Sequence, residues 1–232
     1  MAILCENWQL LFVMEGNTGC SAVGNTLIEA LGGHYLPPEN VTRNGRMIFN
    51  RKHNTVDELL ERGYLKANDL ERLTIAGTVR NPFDRVASIY AREAGGWDGG
   101  MPRDAHGNLI EDPEARAATE AKAKAAQALG FDRWVARRYG WLARVRSRAA
   151  HRLGIRRERN FHRHVAVFLR FEHLQADFDG LLTRLGHPGG VAIPHSGKTS
   201  GKRPYPTYYS PRSRRIVARA FRDTIRRFGY TF

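Results

Sequence analysis

Three short apolar runs, LLFVM (residues 10–14), RLTIAGTV (72–79) and VAVFLRF (165–171), each lead into a segment with helical periodicity. Runs of this kind, without polar alternation, mark strands covered on both faces, as parallel strands are. After the first, the spacing predicts a helix capped by Ser21, carrying Val23, Leu27, Ile28 and Leu31 on one face and ended by Gly32-Gly33. NTVDELLERG reads as a short helix with Asn54 or Thr55 at its cap and Gly63 at its end. After the second run, NPFDRVASIYARE has Pro82 in the first turn and Phe83, Val86, Ile89 and Tyr90 on one face. After the third, EHLQADFDGLLTRLG is amphipathic and stops at Gly186. Strands alternating with helices predict an α/β fold with a central, mostly parallel sheet flanked by helices.

A chain of 232 residues can bury one sizeable core, so a single domain over 1–232 is expected. Residues 94–164 change character, from a glycine-rich loop through an Ala-rich polar helix to an Arg-dense stretch with Trp134, Tyr139 and Trp141, and read as a helical insertion. A solvated helical face and a surface for an acidic glycan or phosphorylated acceptor both account for the arginines of 133–163. A late polar loop, HSGKTSGKRPYPTYYSP, leads into a last basic helix.

The formal charge is +14 and the sequence pI about 10.4, which favours polyanionic partners: nucleic acid, nucleotide phosphates or acidic glycans. Cys5 and Cys20 are too few for a disulfide framework or a Cys-rich zinc site, and point to a reducing compartment. The start, MAILCENWQLLFVMEG, has no basic segment and is too short to span a bilayer, so a cytoplasmic protein without a membrane span is expected. No zinc-finger or RRM signature supports nucleic acid as the partner.

In parallel α/β sheets, ligands bind beyond the carboxyl ends of strands, where helices begin. The loop EGNTGCS lies at such a place, with Gly16, Asn17, Thr18, Gly19, Cys20 and Ser21 supplying amides and little bulk, as an anion cradle requires. A plain tight turn explains the same residues. The loop lacks the Gly-Lys-Ser/Thr ending of a Walker loop, which argues against a nucleotide-dependent kinase. Arg80 stands at the next strand end and Ser88 two turns into the following helix, where a guanidinium fork and a hydroxyl can share one phosphate. The structural alternative is a surface arginine paired with Asp84 and a serine packed on the sheet.

FVMEGNTGCSAVGNTL, GTVRNPFDRVASIY, FLRFEHLQADFDGLLTRLG and YYSPRSRRIVARAFRDTIRRFGYTF resemble the ordered blocks of sulfotransferases that use 3′-phosphoadenosine 5′-phosphosulfate, above all the carbohydrate and heparan-sulfate branch. The resemblance implies a P-loop-like sulfotransferase fold and transfer of a sulfuryl group to a hydroxyl of a carbohydrate or small molecule, without a metal. It assigns residues 16–21 to the 5′-phosphosulfate and Arg80 and Ser88 to the 3′-phosphate. The family's loop lysine falls at Gly16, so the usual leaving-group cation is missing, and Lys198 or Lys202 of the late loop is the candidate replacement.

Such a transfer needs a base, and histidine suits it. KHNTVDELL resembles the family segment whose histidine is the base in 6-O-sulfating relatives, which selects His53; a surface histidine before a helix is the bland alternative. His34 reads as loop structure, and His162 and His164 lie far from any matching motif. Arg170 and Glu172 offer a buried pair or a strand end. Tyr205, Tyr208 and Tyr209 offer an adenine or sugar platform, although core packing is the more frequent use.

Overall fold

A computed structural model describes residues 2–43, 46–49, 53–96, 111–152, 160–194 and 201–232. The chain divides into two compact units, Met1–Arg80 with Glu158–Gly197, and Asn81–Arg157 with Lys198–Phe232.

The first unit is mixed α/β. Its five-stranded sheet contains β1 (Ala2–Cys5), β2 (Leu10–Val13), β3 (His34–Leu36), β6 (Thr74–Val79) and β7 (Val167–Arg170), in the order β3-β1-β2-β6-β7. β4 (Val41–Arg43) and β5 (Arg46–Phe49) form a separate antiparallel pair. β2 pairs with β6 and β6 with β7 in parallel, but β1 is antiparallel to both β2 and β3. The sheet is therefore mixed rather than mostly parallel. The cause is the segment Ala2–Cys5, which turns back through a 3-10 turn at Glu6–Trp8 and a left-handed Gln9 and pairs on both its edges.

Both faces of the sheet are covered, which explains the continuous apolar run of β2. Leu10 and Phe12 join a cluster with Ile3, Cys5, α1 (Cys20–Leu31) and α7 (Leu174–Arg184), through Val23, Leu27, Phe178, Leu181 and Leu182. Leu11 and Val13 pack on the opposite side with Val56 and Leu59 of α2 (Val56–Glu61), together with Leu65 and Leu73, which flank α3 (Ala67–Arg72). Thr55 rather than Asn54 caps α2, in a reciprocal box with Glu58. Burial raises the Cys5 thiol to about 11.

Arg170 does not make a buried pair. Its side chain is 49% exposed and forks onto Asp177 of α7 at 2.8 and 2.9 Å, while its backbone N–H donates to the same carboxylate at 2.7 Å. The Arg170 side-chain hydrogen bonds, aided by that N–H, hold the Asp177 carboxyl below the usual carboxylate range. A depressed folded value stabilises the fold above the unfolded value of about 3.9, and this contribution is lost as pH falls through the folded value. Asp177→Asn should cost about 1 kcal/mol near neutral pH in denaturant titrations, and the two proteins should converge in acid.

The second unit is helical: α4 (Pro82–Ala94), α5 (Pro113–Tyr139), α6 (Trp141–Arg152), α8 (Pro211–Ala220) and α9 (Arg222–Phe228). Asn81 caps α4, its side chain accepting from the Phe83 N–H at 3.0 Å, with Pro82 in the first turn. α5 breaks at Gly130, whose φ of 64° and ψ of 165° leave the helical region. The last basic segment is two helices, because Phe221 departs from helical geometry between them. Phe83, Val86, Phe131, Trp134, Val135 and Val217 form the core.

Candidate functional site

The loop between β2 and α1 is fixed from beneath by polar contacts. Thr18 is fully buried; its Oγ1 donates to the Glu15 carbonyl at 2.6 Å and lies 2.5 Å from Oγ1 of Thr78 on β6. With its single proton committed to Glu15, Thr18 accepts from Thr78. Asn17 takes a positive φ of 66°. Its carbonyl accepts from Arg80 Nη1 at 3.1 Å. Arg80 is only 8% exposed, and its guanidinium lies 3.9 Å over the Phe171 ring. It is thus a buried cation bracing the loop, not a surface arginine.

Gly19, not Ser21, stands at the N-cap of α1. Its φ is 80°, which favours glycine, and a Cβ there would lie 3.0 Å from both Phe171 and Leu174, which would have to yield to any side chain. Ser21 is exposed, Cys20 is buried, and no side-chain hydrogen bond caps the helix. An uncapped start directs its amide dipoles outward, the arrangement that favours an anion.

His53 reaches this loop from a distant part of the chain. Its Nδ1 lies 3.0 Å from the Met14 carbonyl, and its ring sits 3.5–3.8 Å from the position a Gly16 Cβ would occupy. A carbonyl only accepts, so Nδ1 carries the proton and the lone pair of the neutral ring is on Nε2. The backbone at His53 has a φ of 61°.

Two further histidines stand in carboxylate pairs that sequence spacing did not reveal. His162 Nε2 lies 3.0 Å from Glu15 Oε2, with the two side chains 20% and 14% exposed, and the ring packs edge-on to Phe168. His164 Nε2 lies 3.0 Å from Asp57 Oδ1, and Arg163 meets the other oxygen at 3.4 Å. Glu15 opens the loop itself, so the first pair belongs to the same neighbourhood. The available signal was an acidic residue at the strand end, where a compensating cation or imidazole is needed. His34 is exposed on β3.

Residues 15–21, His53, Arg80 and His162 therefore converge within the first unit. In the second, Ser88 is 1% exposed on α4. Lys202 pairs with Asp84 through Nζ and Oδ1, each side chain 18% exposed. Lys198 lies outside the described residues. Tyr209 donates to the Phe83 carbonyl at 2.9 Å and, with Tyr205 and Tyr208, packs among Phe83, Phe131 and Phe232, which is core packing. Among the described residues no three His, Cys, Asp or Glu side chains gather as a metal site, and no helix is long and apolar enough to cross a membrane. No protein-family model, curated protein or solved structure matches the chain.

Proposed function

We propose that the chain is a sulfotransferase of P-loop-like fold that moves a sulfuryl group from 3′-phosphoadenosine 5′-phosphosulfate to a hydroxyl of a carbohydrate or small-molecule acceptor. The observation that carries this reading is the meeting of an imidazole and a buried guanidinium on one small-residue loop at a strand end: His53 against Gly16, Arg80 on Asn17. The loop and the uncapped start of α1 receive the phosphosulfate. His53 Nε2 takes the acceptor's proton as the new oxygen–sulfur bond forms, and the bond from sulfur to the nucleotide phosphate breaks. The products are a sulfate ester and 3′-phosphoadenosine 5′-phosphate. Positioning and charge stabilisation supply most of the rate in transfers of this type.

The sequence resemblance assigns the 3′-phosphate to Arg80 and Ser88. Lys198 and Lys202 are the cations proposed for the departing phosphate in place of the lysine missing at Gly16. Substituting each by alanine should reveal at least one that lowers turnover about a hundredfold, the cost of one preorganised charge; unchanged turnover in both variants removes the assignment.

The reading is tested by calorimetric titration of 3′-phosphoadenosine 5′-phosphate against AMP and ATP. Marked preference for the 3′-phosphorylated nucleotide supports it. Absence of preference, with steeply salt-dependent binding of DNA, replaces it by a basic nucleic-acid-binding protein.

A further inference from the structure

Among the described residues, the large apolar side chains most open to solvent fall within five positions of one helix: Trp141 is 73% exposed, Leu142 60% and Val145 42%, all on α6. With the exposed Ala149 they occupy positions i, i+1, i+4 and i+8, which share one side of a helix. Among the α6 positions whose side chains are described, the half-buried ones are the small Ala143 and Ala150, on another side. The bulky apolar side chains of α6 face outward, and the exposed Arg152, at i+11, shares their side at the C-terminal end of the helix. Arg144, Arg146 and Arg152 are exposed as well, and from Arg133 to Arg157 the chain has nine arginines and no acidic residue.

We propose that α6 docks on an anionic lipid bilayer, lying in the interface with Trp141, Leu142 and Val145 inserted below the headgroups and the arginines on the lipid phosphates. The charge selects an anionic partner, and the apolar stripe selects among anionic partners. A hydrated polysaccharide or a nucleic acid backbone satisfies arginines but gives Leu142 and Val145 nothing to bury against. A second copy of this chain would bring two arginine-rich faces together, on molecules that each carry a formal charge of +14. A bilayer of acidic lipids meets both demands, since burial of apolar side chains and attraction to lipid phosphates add in an interfacial helix. Such docking needs no spanning segment and does not depend on the proposed transferase activity.

The test is flotation of the full chain with phosphatidylcholine vesicles, with and without phosphatidylserine, for the wild type and for Leu142→Glu/Val145→Glu. Both positions are already exposed, so the variant should keep the wild-type circular dichroism and melting profile. The expected result is binding to the serine-lipid vesicles, weak binding to phosphatidylcholine alone, and at least about a tenfold loss of partitioning in the double variant. Equal flotation of variant and wild type overturns the proposal in favour of unspecific charge attraction. Failure of the wild type to float also overturns it. Concentration-dependent self-association in sedimentation, abolished by the same double variant, assigns the stripe to a second copy instead.

Discussion

Arg80→Ala should lower the affinity for 3′-phosphoadenosine 5′-phosphate about a hundredfold, the scale of a lost charge-assisted fork to phosphate, while affinity for AMP falls far less. The ratio of the two is the informative quantity, because Arg80 also has a structural contact. Its guanidinium holds the Asn17 carbonyl at 3.1 Å and lies over Phe171, so its removal also loosens the loop. A loosened loop weakens both nucleotides alike; loss of the 3′-phosphate partner weakens only one. Equal losses would make Arg80 a brace alone and remove the assignment to the 3′-phosphate. Arg80→Lys sharpens the comparison, since it keeps the charge but not the planar fork.

His53→Asn should reduce kcat by about two to four orders of magnitude, the usual worth of a positioned general base, with nucleotide binding unchanged. Asparagine is the variant of choice because His53 has a φ of 61°, a conformation asparagine accepts more readily than alanine. Retained turnover would move the base elsewhere. His162 is then the next candidate, because the Glu15 carboxylate 3.0 Å from its Nε2 holds the ring beside the loop. His162→Asn measured alongside separates the two.

Local rules carried well where the information is local. The unit from β2 through the loop into α1, the cap of α2, the Asn81-Pro82 start of α4 and the α7 face all follow from periodicity and capping chemistry. The reading failed where a partner distant in sequence decides. Ala2–Cys5 is too short to identify by its own pattern and becomes a strand through pairing with residues 10–13 and 34–36. Ser21 has the chemistry of a cap, yet the N-cap is Gly19, where Phe171 and Leu174, some 150 positions away, leave little room for a side chain. His162 lies far from the motif in sequence, whereas its carboxylate partner is Glu15 in that motif. Lys202 pairs with Asp84, 118 positions away in sequence, a partner that spacing does not announce. Side-chain pairing across such separations leaves no periodic trace in a single sequence.

The placement of the two cysteines gives the chain an internal reporter of opening. Cys5 and Cys20 are its only thiols, they are 0% and 3% exposed, and both lie in the same apolar cluster of the first unit. A covered thiol whose ionisation is suppressed is a poor nucleophile, so an alkylating reagent must wait for the sheet to open before it can label Cys5. The rate of mass gain under alkylation therefore times excursions of the first unit alone. Trp134, packed among Tyr90, Phe131 and Tyr139, lies in the second. With Trp8, Trp97 and Trp141 replaced by phenylalanine so that Trp134 is the single emitter, alkylation kinetics and indole emission, followed through one denaturant series, would establish whether the two units unfold in one cooperative event or in two.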